Sequence, residues 1–119
     1  MQNMYLVVQQ DPIVASDLSE IIGEFNPAAS VTIVESMGQA VDLLSDVATP
    51  KFVLVCGTPE SVAQSGLSLA IETSQSWLVL ISSEDKAQLD LVSNWVHVAA
   101  PFTTASLTRA LNSITAAER

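Results

Sequence analysis

Met4-Tyr5-Leu6-Val7-Val8-Gln9-Gln10-Asp11-Pro12 is the stretch that decides the fold. Its first five residues are apolar on both sides of the chain, with no in–out alternation. A strand reads this way when both of its faces are buried, as in a parallel sheet covered by helices. Asp11-Pro12 then starts a helix. The carboxylate accepts backbone N–H bonds at the N-cap, and proline suits the first turn, where its missing N–H is not needed. Val14, Leu18, Ile21 and Phe25 follow at steps of four, three and four, which is one face of a helix. Asn26-Pro27 ends it.

The same alternation repeats along the chain. Val31-Thr32-Ile33-Val34 is a second strand. Ser36-Met37-Gly38-Gln39 matches a capping box and opens a helix with the stripe Met37, Ala40, Val41, Leu44 and Val47, broken at Thr49-Pro50. Phe52-Val53-Leu54-Val55-Cys56 is a third strand, ended by Gly57-Thr58-Pro59. A helix over Ser61 to Thr73 follows, with Gly66 as its weak point. Leu78-Val79-Leu80-Ile81 is a fourth strand, and Glu84 to Ser93 reads as a short polar helix. Val96-His97-Val98 is a fifth strand. Thr104 caps a last helix with the stripe Leu107, Ala110, Leu111 and Ile114.

Five strand–helix units in a row predict an α/β fold: a doubly wound, five-stranded parallel sheet between two helix layers, a three-layer sandwich of flavodoxin-like type. The expected strand order is 2-1-3-4-5, with a crevice at the carboxyl ends of strands 1 and 3, where the winding reverses. The 119 residues read as a single domain, 1–119, large enough for one core.

Composition narrows the function. Thirteen acidic residues face four basic ones, for a net charge of -9, and no Lys or Arg precedes Lys51. Such a surface repels a phosphate backbone, so no nucleic-acid partner is expected. One cysteine excludes an internal disulfide, and with one histidine it cannot make a structural zinc site. The run Met4 to Val8 is too short for a membrane span or signal peptide. Mean hydropathy is +0.40, which is high, but every apolar run is short. The expectation is a cytoplasmic protein with an apolar interior and no membrane contact. Glycine-rich nucleotide loops and the hydrolase G-x-S-x-G elbow are absent from the sequence.

Nearly the whole chain resembles the receiver domain of response regulators. The resemblance rests on Tyr5 to Pro12, Phe52 to Pro59, Ser65-Gly66-Leu67-Ser68-Leu69, Leu78 to Ser83 and Ala100-Pro101-Phe102. In that family strand 1 ends in two acidic residues that help hold magnesium, and strand 3 ends in the aspartate that takes the phosphoryl group. Strand 4 ends in Ser or Thr, and Lys-Pro-Phe follows strand 5. The resemblance implies a phosphorylation pocket at Gln9, Gln10, Asp11, Cys56, Ser82 and Ala100. Gln9 and Gln10 stand where the acids belong. Cys56, or Val55 if Pro59 is the anchor, stands where the aspartate belongs. Ala100 stands for the lysine, and only Ser82 keeps its type. His97 takes the place of the aromatic switch residue. The interval from Ser82 to Ala100 is shorter than the family's, and that from Pro59 to Gly66 longer.

These replacements remove three parts of one mechanism. Magnesium takes hard oxygen ligands, including carboxylates, and two amides bring oxygens without charge. Asp11 is committed to the N-cap. Neither a thiol nor a valine can form an acyl phosphate, and no lysine offsets the added charge. The expectation is therefore a degenerate, phosphorylation-independent pseudo-receiver. It would be no enzyme, and would hold no cofactor and no metal. It would act by protein–protein contact in a bacterial two-component-like signalling or regulatory pathway. Its partner would be a signalling or regulatory protein, with a homodimer as a further form. The family's interaction face falls here on Trp95, His97, Pro101, Phe102 and Leu107. The alternative is a small flavodoxin-like enzyme or a thiol-based redox sensor using Cys56. With no Lys or Arg placed beside it, that thiol is expected to hold its proton, which argues against reactivity.

Overall fold

A computed structural model describes residues 4–46, 52–83 and 94–118. The elements run β1 (Met4–Val8), α1 (Pro12–Phe25), β2 (Ser30–Val34), α2 (Met37–Asp46), β3 (Phe52–Cys56), α3 (Pro59–Gln64), α4 (Leu67–Thr73), β4 (Trp77–Ser82), β5 (Trp95–Ala99) and α5 (Thr104–Glu118). All five strands are parallel, in the order β2-β1-β3-β4-β5, as the sequence predicts.

Strand parity divides the core into two layers. Tyr5, Val7, Phe52, Leu54, Val79, Ile81 and Val98 face α1 and α5, and pack on Leu18, Ile22, Leu107, Leu111 and Ile114. Leu6, Val8, Val34, Val53, Val55, Leu78 and Leu80 face the other way, onto Ala40 and Leu44 of α2, Val62 of α3, and Leu67 and Ile71 of α4. This is why the central strands show no alternation: β1, β3 and β4 bury both faces. Tyr5 and Phe52 stack with centroids 4.9 Å apart where β1 and β3 begin, at the far end of the sheet from the crevice.

Local chemistry sets the helix starts. Asp11 caps α1, its Oδ1 accepting the Ile13 N–H at 2.9 Å, with Pro12 in the first turn. The box expected at Ser36 closes in a displaced form. Ser36 Oγ accepts the Gln39 N–H at 3.2 Å, but Gln39 Oε1 reaches back to the Glu35 N–H, one residue before the cap. The cap of α5 is Thr103, not Thr104. Thr103 Oγ1 accepts the Ser106 N–H at 3.0 Å while Ser106 Oγ accepts the Thr103 N–H at 2.9 Å. The three-residue spacing to Ser106 picks the first of the two threonines.

The helix expected over Ser61 to Thr73 is two helices. Gly66, at φ +84°, lies in the left-handed region and separates α3 from α4. A residue without Cβ takes that conformation at little cost, and one such residue ends a helix. The α3 start is also earlier, at Pro59, because Thr58 and Ser61 cap it reciprocally. Val47, Thr49-Pro50 and the helix read over 84–93 lie outside the described residues. No helix among the described residues is long and apolar enough to cross a membrane.

Candidate functional site

The crevice lies above the carboxyl ends of β1, β3, β4 and β5. On its β1–β3 side, parity decides which residues can enter. Val8 and Val55 belong to the layer under α2 and α4, and Val55 is fully buried there. The next residues, Gln9 and Cys56, turn to the other side, and both are half-buried. Of the two positions left open by the spacing, Cys56 is the one at the crevice.

Gln9 ties this half together. Its N–H donates to the Val34 carbonyl at 3.0 Å, extending the β1–β2 ladder by one rung. Its Oε1 accepts the Asp11 N–H at 3.1 Å. Its side chain also acts on the Cys56 thiol, favouring the thiolate. Burial pushes that thiol's pKa up, and the Gln9 side chain pulls the other way with the smaller effect. Cys56 is therefore a protonated thiol at neutral pH. Gln10 is exposed and takes no part in this cluster. Asp11 is joined to it by its backbone, with its carboxylate turned to the α1 cap.

A feature invisible in the residue types is the closure over β3. The Gly57 N–H donates to the Ile81 carbonyl at 3.1 Å. A Cβ on Gly57 would stand 3.1 Å from Met37 Cε and 3.2 Å from Ser61 Oγ. Met37, read from sequence as one position in a helical stripe, lies against the end of β3 instead of open space. The only hint was the glycine directly after the strand.

On the β4–β5 side, Ser82 is buried and its carbonyl is shared. It accepts the Ala100 N–H at 3.0 Å and the His97 Nε2–H at 3.2 Å. The His97 ring thus lies inward against the end of β4. Ala100 and Pro101 are exposed and joined by a cis peptide bond. Phe102 packs its ring against the α1–α5 layer, and Trp95 packs against the α2–α4 layer. Leu107 is a correction to the expected face. It is fully buried in the α1–α5 core and has nothing to present to a partner. Beside β5 runs a shallow groove of about 380 Å³ whose lining includes His97, Ala99, Ser106, Arg109 and Ser113.

The donors at the crevice do not fit a magnesium ion. Gln9 Oε1 is held by a backbone N–H, the Asp11 carboxylate caps α1, and the remaining group is a neutral thiol. Magnesium dehydrates reluctantly and is held by carboxylate or phosphate oxygens. Among the described residues no three His, Cys, Asp or Glu side chains form a metal-binding group.

No protein-family model matches the sequence, and no curated protein sequence matches it. Solved structures do. The N-terminal domain of a response regulator/sensory box/GGDEF three-domain protein from Carboxydothermus hydrogenoformans superposes with a TM-score of 0.76 at 18% identity, covering 98% of this chain and 96% of that one. A CheY-like response-regulator receiver domain from Methylobacillus flagellatus gives 0.68 at 18% identity, over 96% of this chain and 99% of that one. A pilus assembly protein, CpaE, from Caulobacter crescentus gives 0.64 at 13% identity, over 93% and 98%. The chain has the receiver fold.

Proposed function

We propose that this chain is a phosphorylation-independent pseudo-receiver that works by protein–protein contact in a bacterial signalling or regulatory pathway. One observation carries the reading. Where a receiver needs carboxylates at the ends of β1 and β3, this chain sets an amide against a thiol, Gln9 against Cys56. Neither group can bind magnesium tightly or hold an acyl phosphate. Among the described residues, helices pack on both faces of the five-stranded sheet around them. A fold kept without the chemistry is a fold kept for its surface.

That surface is the β4–β5 side of the crevice, with Trp95, His97, Pro101 and Phe102. Trp95 and Phe102 are anchored in the core and His97 on the Ser82 carbonyl, while Pro101 is exposed beside them, so the face is preformed and needs no switch to be presented. The thiol-based readings are weaker. Burial holds the Cys56 proton, and Arg109, the only Lys or Arg among the described residues, sits on α5 rather than beside the thiol. The fold is shared with receiver domains of response regulators and with a pilus assembly protein, which supports a partner of signalling or regulatory type.

The test is the partner's affinity with and without a phosphoryl mimic. A partner captured from the source cell should bind equally well in plain buffer and in beryllofluoride with magnesium. A change of threefold or more on adding beryllofluoride would overturn the reading, since only an intact phosphorylation pocket responds to it.

A further inference from the structure

β2 is an edge strand, paired only with β1. The Gln9 N–H meets the Val34 carbonyl, and the parallel register alternates back from there. The backbone groups of Ser30, Thr32 and Val34 therefore face β1, while those of Val31 and Ile33 face away from the sheet. On either side of these two residues the N–H groups are already committed. Ala29 N–H donates to the Asn26 carbonyl at 2.9 Å, and Glu35 N–H donates to Gln39 Oε1 at 2.9 Å. The open edge is thus bracketed to Val31 and Ile33. The strand carries no lysine, proline or bulge, the usual devices against edge pairing. Ser30 and Thr32 are exposed, and Ile33 keeps 46% of its surface in water.

We infer that β2 pairs antiparallel with β2 of a second copy of this chain, about a two-fold axis at Thr32. In that register Val31 of each copy lies opposite Ile33 of the other, and the outward N–H and C=O groups satisfy one another in full. Neighbouring registers fail. Val31 opposite Val31 sets Ile33 against Ala29, whose N–H is given to Asn26. Ile33 opposite Ile33 sets Val31 against Glu35, whose N–H is given to Gln39. The net charge of -9 works against association of two copies in general, and this edge is where that repulsion is least, because Phe25 to Val34 holds no charged residue. The register also keeps the acids apart, because Glu35 falls opposite Ala29 at each end of the pairing. Val31 and Ile33 side chains meet across the axis on one face, and the two threonines meet on the other. β5 lies at the opposite edge of the sheet and stays open to the partner proposed above. The pairing does not depend on the reading of the crevice.

Cysteine cross-linking tests it. Directly opposed residues of a non-hydrogen-bonded antiparallel pair have Cα atoms about 4.5 Å apart, within reach of a disulfide. In a Cys56→Ser background, Thr32→Cys should become a covalent dimer in glutathione buffer. Ser30→Cys in the same background, displaced along the strand from its own copy, should stay monomeric. By equilibrium sedimentation the unmodified chain should show a monomer–dimer equilibrium. Ile33→Lys should weaken it at least tenfold with an unchanged circular dichroism spectrum, since the side chain faces water. Three results would each overturn the inference: a chain that is monomeric at every concentration, cross-linking of Ser30→Cys as fast as Thr32→Cys, or a dimer that Ile33→Lys leaves intact.

Discussion

The two halves of the crevice are made from different kinds of residue. Above β1 and β3 the side chains are an amide and a protonated thiol, with the Asp11 carboxylate turned aside to cap α1. Above β4 and β5 lie a buried Ser82, a His97 ring turned inward onto its carbonyl, an exposed Ala100, and the Pro101-Phe102 pair leading into α5. The β1–β3 half is lined by neutral groups, and in the β4–β5 half Trp95 and Phe102 rest on core contacts. Chemistry and scaffold are separable because they use different atoms. The strand ends are set by ladder bonds such as Gln9 to Val34 and Ala100 to Ser82, which need no particular side chain.

Substitutions in the two halves should differ in cost, and the largest effect lies under the β5 half. Leu107 is fully buried between α5 and the sheet. Leu107→Ala should cost about 2–5 kcal/mol in urea unfolding, through lost burial and the cavity left behind. A cost below about 1 kcal/mol would return Leu107 to the surface and break the contrast between a packed half and an altered one.

An intermediate effect is expected at Asp11. If its carboxylate serves the helix and not a metal, Asp11→Ala should cost roughly 1 kcal/mol, the usual value of an N-cap. Asp11→Ser should recover most of it, and added magnesium should change neither result. Magnesium-dependent stabilisation of the unmodified chain that Asp11→Ala abolishes would show a metal role instead.

The smallest effect belongs to Cys56. At neutral pH, Cys56→Ala should shift stability by less than about 1 kcal/mol, as for a half-buried small side chain. The alkaline limb is more telling. Burial holds the thiol's proton in the folded chain above its ordinary pKa of 9.0. The unfolded chain loses that proton first, so this group's contribution to stability is intact below pH 9.0 and declines as pH rises beyond it. Subtracting the Cys56→Ala profile from that of the unmodified chain should isolate the decline. A difference that rises with pH would mean a stabilised thiolate, and would revive the thiol-based readings.

Most of the fold was legible because buried parallel strands are written in the sequence as unbroken apolar runs. β1, β3 and β4 differ from their predicted bounds by at most one residue at each end. What failed was decided by single conformations. Gly66 at positive φ divides one helical pattern into α3 and α4, and periodicity cannot see a φ angle. The α5 cap fell on Thr103 because a partner hydroxyl stood three residues on, a choice between two adjacent threonines. At the crevice the residue types were readable, but their sides were not. Strand parity, known only once the layers exist, sends Val55 into the core and Cys56 to the crevice. Leu107 was misplaced for the same reason: one apolar residue of a helical stripe reads alike whether it meets the sheet or a partner.

The central claim is that the β1–β3 half of the crevice cannot take a phosphoryl group. The direct measurement is intact-mass spectrometry after incubation with acetyl phosphate and magnesium, with backbone amide shifts of Gln9, Gln10 and Cys56 followed on adding beryllofluoride. The account predicts no added mass and no shift at these residues. A stoichiometric phosphoryl adduct mapped to Gln9, Gln10, Asp11 or Cys56, or saturable shifts centred on Cys56, would contradict it.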